Sequence, residues 1–217
     1  MKMFSSSTWW LLPLALLTAC ASNQGGDSEP APADQTSGMI TKLALNFTPS
    51  EGGETLSFFW SDPEGTGEPV VDAIPLPDGS NHGHHDMQSY VLDIEVWNEL
   101  EDPIEDVSSE IEDAAEEFQF FFTGSAVESP ATGANSGAVI AQDYVDSDEN
   151  GLPLGLKNSV TTLAWGAGEL TVTLRHLPPG ADETLKVEGL AGEVADGGFE
   201  AIGGEDDLQV TFDIEVE

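Results

Sequence analysis

Positive charge is what this chain has least of: its 217 residues carry five Lys and Arg against 41 Asp and Glu, a formal net charge of -36. A protein that neutralises phosphates needs clustered Lys and Arg, so nucleic acid is excluded as a partner. Cysteine is scarcer still, and the single thiol, Cys20, leaves no disulfide within the chain. Catalytic signatures are missing as well. The sequence contains no Gly-x-Ser-x-Gly elbow, no His-Glu-x-x-His, no phosphate-binding Gly-x-x-x-x-Gly-Lys-Ser loop and no dinucleotide fingerprint. Carboxylates are too numerous for any pair to be diagnostic of glycosidase chemistry. The chain therefore reads as a non-enzyme without an organic cofactor. Five Trp, ten Phe and many aliphatic residues nevertheless supply a core and argue against global disorder.

The N-terminus reads as an address. Lys2 gives a positive start, and the apolar run Trp9 to Leu17 is too short to span a bilayer, which is the pattern of a secretory signal. It closes with Leu17-Thr18-Ala19-Cys20, which resembles the lipobox of bacterial lipoproteins. That resemblance implies cleavage after residue 19, a lipid on Cys20 and attachment to a membrane. Ala21 follows the cysteine, where an aspartate would signal otherwise, and the same resemblance implies the outer membrane of a Gram-negative cell envelope. Residues 20–38 are then the lipidated cysteine and a tether rich in Gly, Ser, Pro, Asp and Gln, a composition that predicts disorder.

From Met39 the pattern turns to period two, the signature of half-buried strands. Leu43, Leu45 and Phe47 share a face, as do Leu56, Phe58 and Trp60, and Tyr90, Leu92, Ile94 and Val96. Further strands are predicted at Val70 to Pro75, Phe118 to Thr123, Ala138 to Val145, Val160 to Trp165, Leu170 to Arg175 and Leu208 to Val216. About eight or nine short strands split by Gly, Pro and Asp predict one all-β domain over 39–217, an antiparallel Ig-like β-sandwich with a small barrel as the rival. Asp106 to Glu117 breaks the pattern: Val107, Ile111, Ala114 and Ala115 fall at helical spacing, with Ser109 and Glu112 placed as a capping box. Gly124 to Gly137 and Gly180 to Gly204 read as long loops.

Two kinds of cation site are legible. Asp146-Ser147-Asp148-Glu149-Asn150-Gly151 places oxygen side chains at positions one, three and five and a turning glycine at six, the first half of a calcium loop. The twelfth position is Lys157 and no helices bracket the loop, so it is not an EF-hand, and an Asp-Asn-Gly turn accounts for the same residues. Asp62-Pro63-Glu64-Gly65-Thr66-Gly67-Glu68 repeats the one, three, five and glycine-six spacing more weakly, with Asp62 and Glu64 as candidate ligands, and a strand connection rich in Gly and Pro is the competing account. Softer ions are addressed by Ser80-Asn81-His82-Gly83-His84-His85-Asp86, where three of the four histidines gather. Neutral imidazoles suit zinc or copper, and His82, His84, His85 and Asp86, joined by His176, form the second candidate set. A polar loop holding histidines by chance is the competing account of the tract.

Beyond the lipobox, the body of the chain resembles small acidic β-domain lipoproteins of Gram-negative bacteria. The likeness is carried by Ser61-Asp62-Pro63-Glu64-Gly65, by Ile111-Glu112 leading to Phe120-Phe121-Phe122, and by the run Asp146 to Leu156. It continues in Leu170 to Pro178 and Glu205 to Asp213. That resemblance implies a lipid-anchored β domain, sometimes associated with outer-membrane receptors for nutrient or metal uptake. Where the group leads one to look for a histidine after the acidic helix, this chain has Glu117-Phe118. The functional expectation is an envelope protein that binds a divalent metal, for capture, buffering or assistance to uptake. The alternative is a structural or adhesive domain that uses calcium only to stiffen loops and acts through a protein partner.

Overall fold

The computed structural model describes residues 39–65, 67–79, 86–180 and 185–217. Alternation places hydrophobic side chains on one face of each long strand, and pairing stacks those faces into rows. Strands β1 (Lys42–Pro49), β2 (Leu56–Ser61) and β5 (Ser89–Asn98) are antiparallel neighbours. Their register aligns Trp60 with Leu43 and Val96, Phe58 with Leu45 and Ile94, and Leu56 with Phe47 and Leu92. A one-residue slip would turn each row to solvent, so burial itself fixes the register. Phe47 lies edge-on to both Phe58 and Tyr90 at 6.1 Å between ring centres.

The second layer repeats this logic. β7 (Phe118–Thr123), β11 (Gly166–His176) and β12 (Glu205–Val216) align Phe122 with Val172 and Val210, and Phe120 with Leu174 and Leu208. The remaining elements are β3 (Val70–Val71), β4 (Ile74–Leu76), β6 (Glu105–Asp106), β8 (Val127–Glu128), β9 (Ile140–Tyr144), β10 (Lys157–Thr162) and helices α1 (Val107–Asp113) and α2 (Leu190–Gly197). One sheet runs β3-β2-β1-β5-β10-β9-β8 with β6 beside β5, and the other runs β4-β12-β11-β7. The β-sandwich expectation holds. The larger sheet curls into a half-barrel while the smaller stays open, so the two layers enclose one main core without closing.

Several boundaries differ from the sequence reading, each for a physical reason. Val70 to Pro75 is two strands in different sheets. Asp72 exchanges hydrogen bonds with Phe59, holding the chain on β2, before β4 crosses to pair in parallel with the edge of β12. Pro75, which has no N–H to donate, sits on that edge strand. β10 begins at Lys157 because buried Asn158 is satisfied, donating to the Gly155 carbonyl and accepting from Gln142. Helix α1 is capped by Asp106, which accepts from the Ser109 amide and hydroxyl, and not by a box at Ser109 and Glu112. Burial of Val107 draws the helix start forward.

The segment Gly180 to Gly204, read from sequence as a loop, carries α2 and a 3-10 turn, Phe199–Ala201. Leu190, Ala191, Val194 and Ile202 pack on Phe121 and Leu177, making a second small core on the outer face of the smaller sheet. Gly192 and Gly197 thin the helical signal, so only Leu190 and Val194 mark it. The stretch Gly124 to Gly137 likewise contains β8 and a turn in which Ser129 donates to the Phe122 carbonyl and Asn135 to those of Ser125 and Val127.

Phe47→Ala should destabilise the domain by about 3–5 kcal/mol through lost burial and a residual cavity. Val70→Ala, on exposed β3, should stay within about 0.5 kcal/mol of wild type, and urea unfolding of both variants checks the contrast.

Candidate functional site

The loop after β9 is held by its own carboxylates. Asp146 accepts the Gly155 amide at 2.7 Å on one oxygen and the Lys157 amide at 2.8 Å on the other. Oδ1 of Asp148 accepts the amides of Asn150 and Leu152, both at 2.9 Å. The Leu152 carbonyl receives the Asp148 amide at 2.8 Å, and Gly151 turns the chain with φ +80°. Asn150, the third oxygen-bearing position, instead donates through Nδ2 to Glu116 at 2.9 Å.

The remaining oxygen of Asp148 meets a cation supplied by the chain. Nζ of Lys186 lies 3.0 Å from Asp148 Oδ2, and the two side chains are 1% and 0% exposed. The same ammonium donates to the Ala115 carbonyl at 2.6 Å. Lys186 therefore stands against an oxygen that a calcium reading assigns to a metal. Burial acts to raise the Asp148 carboxyl, but the Leu152 amide, the Lys186 ammonium and the Asn150 amide together hold it below its ordinary value. Burial pulls the Lys186 ammonium below the usual lysine range, against the attraction of Asp148, Asp146 and Glu116. The outward side of the loop borders a cleft of about 680 Å³ lined by Asp93, Glu95, Glu112 and Glu149, with Lys157 3.4 Å from Asp93 among its walls.

The second acidic loop is also tied internally. Asp62 is buried, its Oδ2 accepts the Gly67 amide at 2.7 Å and its carbonyl accepts that of Gly65 at 2.9 Å, while Glu64 is exposed. Asp62 follows β2 and Asp146 follows β9, so β1, β5 and β10 lie between the two loops and they do not share a site.

His176 is engaged elsewhere. Its ring stacks on Phe118 with centres 4.7 Å apart, and Nε2 lies 3.4 Å from Glu117 Oε2, so the Glu117-Phe118 pair flanks this histidine. His82, His84 and His85 lie outside the described residues, as does Cys20. Asp86 is described and exposed. The residues bracketing the histidine tract sit at one end of the sandwich, where the Asp78 amide bonds the Glu217 carbonyl, the Gln88 amide bonds Thr162, and Asp78 accepts the Trp165 indole at 2.5 Å. β12 pairs with β11 from Gly166 opposite Val216 to His176 opposite Glu205. At ~3.3 Å per residue the 11-residue β11 separates His176 from that end by roughly 33 Å. Asp86 and His176 are thus not brought together. Among the described residues no three His, Cys, Asp or Glu converge as a metal site.

Two residues with structural roles escaped the sequence reading: Lys186, and Arg175, whose guanidinium meets Asp206 at 2.6 Å and the carbonyls of Gly203 and Gly204 at 2.9 Å. Their signal was scarcity, since only five Lys and Arg exist to offset so many carboxylates. The chain matches no protein-family model, and no curated protein or solved structure shows significant similarity to it.

Lys186→Met should destabilise by about 3–5 kcal/mol, because it leaves the buried Asp148 charge without its partner. Adding Asp148→Asn should return part of that loss, a coupling that urea unfolding of the double-mutant cycle would read directly. The Asp148 carboxyl lies below its ordinary value in the fold, so its contribution is complete above about pH 4 and disappears as pH falls through the lowered value. The stability gap between wild type and Asp148→Asn should accordingly be flat at neutral pH and shrink in acid.

Proposed function

We propose that the protein is a lipid-anchored accessory of the bacterial cell envelope that captures or buffers a divalent transition metal, zinc or copper, through His82, His84 and His85 with Asp86. The observation that carries this reading is the gathering of three of four histidines into one short tract. The acidic loops support it by contrast: their carboxylates are committed to backbone amides and to Lys186, which turns the metal reading away from calcium and toward imidazole. A field of 41 carboxylates draws cations toward the surface from solution, while nitrogen donors select among them. Anchoring at Cys20 would hold the domain at the outer membrane, beside a receptor for metal uptake.

A second reading, a structural or adhesive domain acting through a protein partner, is favoured by Met39 and Leu100, which are 58% and 49% exposed and lie side by side against Gly65. The two readings separate in one experiment on an untagged protein beginning at Ala21. Zinc or copper at ~100 times its dissociation constant should stabilise the fold by roughly 2.7 kcal/mol. Copper should also quench Trp165, which is 49% exposed and bonded to Asp78, a residue that shortly precedes the tract in sequence. His82→Ala, His84→Ala and His85→Ala combined should abolish both effects. Unchanged binding in that triple variant would refute the histidine site, and no response to either ion in wild type would favour the partner-binding domain.

A further inference from the structure

Residues 185–204 cross the outer face of the smaller sheet with unequal fastenings at their two ends. At the C-terminal end Arg175 joins Asp206 at 2.6 Å, Gly203 and Gly204 at 2.9 Å, and the carbonyls of Phe199 and Ile202 at 3.4 Å, with its guanidinium 5.6 Å from the Phe199 ring centre. Gly204 adopts φ +84° with the His176 carbonyl where a Cβ would stand, so this turn admits little rearrangement. The N-terminal end has the Lys186 ammonium, bonded to Asp148 and Ala115. Between them, α2 has Gly189 at its N-cap with no side-chain cap bond, and contains Gly192 and Gly197, so little local propensity sustains it. Elements of low intrinsic stability are the ones that open without global unfolding.

We propose that residues 185–204 form a lid, hinged at Arg175 and latched by the Lys186–Asp148 pair, that lifts from the sheet while the sandwich stays folded. Lifting uncovers Phe121 and Leu177, both 0% exposed in the closed form. It also widens a groove of about 490 Å³ that already runs along the seam between the lid and the acidic loop, bordered by Gln119, Tyr144, Val145, Val187 and Leu190. The groups facing the latch are Asp148 and Asp146 of the acidic loop and Glu116 of the turn before β7.

Hydrogen exchange of the full domain tests this. In wild type the α2 amides of Glu193 and Gly198, bonded to the Gly189 and Val194 carbonyls, should exchange at least tenfold faster than the sheet amides of Thr41 and Ile94, bonded to Trp97 and Leu156. In Lys186→Met the two helix amides should accelerate a further tenfold or more and keep a weaker urea dependence than the sheet amides, which accelerate too because the same variant lowers global stability. Asp148→Asn, which keeps the shape of the side chain, should behave in the same way and serves if the lysine variant folds poorly. Helix amides that share the exchange rate and urea dependence of the sheet amides in wild type, or that fail to accelerate in both variants, would overturn the lid.

Discussion

The ion pair between Lys186 and Asp148 is the contact on which the outer layer of this fold depends. A buried ammonium is costly unless an opposite charge and a further acceptor meet it, and here Asp148 and the Ala115 carbonyl do both. The pair joins three pieces of chain distant in sequence: the loop after β9, the turn before β7 and the approach to α2. It closes the acidic loop from one side while the loop's own amides close it from the other. The spacing that suggests a calcium site thus reads equally well as a socket for a lysine.

Scarce cations organise the rest of the molecule by the same principle. Lys42 pairs with Glu99 at 3.0 Å and lies 5.4 Å from the centres of the Phe59 and Trp97 rings, covering aromatic surface on the outside of the larger sheet. Arg175 spends its donors on Asp206 and the carbonyls of one turn. Lys157, half exposed beside Asp93, is the weakest of the set, as screened pairs are. In a chain with such an excess of acid, each cation described here contacts a carboxylate, and the two most buried of them fasten the segment that carries α2.

The sandwich was legible in the sequence because period-two alternation is a direct record of which side of a strand is dry. Leu43, Leu45 and Phe47, and Leu208 through Val216, behave as their spacing foretells. What was hidden follows from interactions that leave no periodic trace. Asn158 is buried by satisfying its amide, α2 is diluted by glycine, and the change of sheet after Asp72 turns on a side-chain bond to Phe59. The acidic loop was located from its spacing, but its partner was not, because Lys186 lies 38 residues beyond Asp148 and nothing local links them. The histidine tract stands out by composition alone.

The state of the Lys186 ammonium is the most direct test of this account. Nitrogen-detected NMR of the lysine side chains should show one ammonium whose protons exchange slowly with water, coupled to the Asp148 carboxylate, and unchanged by millimolar calcium. A Lys186 ammonium in rapid exchange, or one displaced when calcium is added, would contradict the claim that the lysine is the resident cation of the acidic loop.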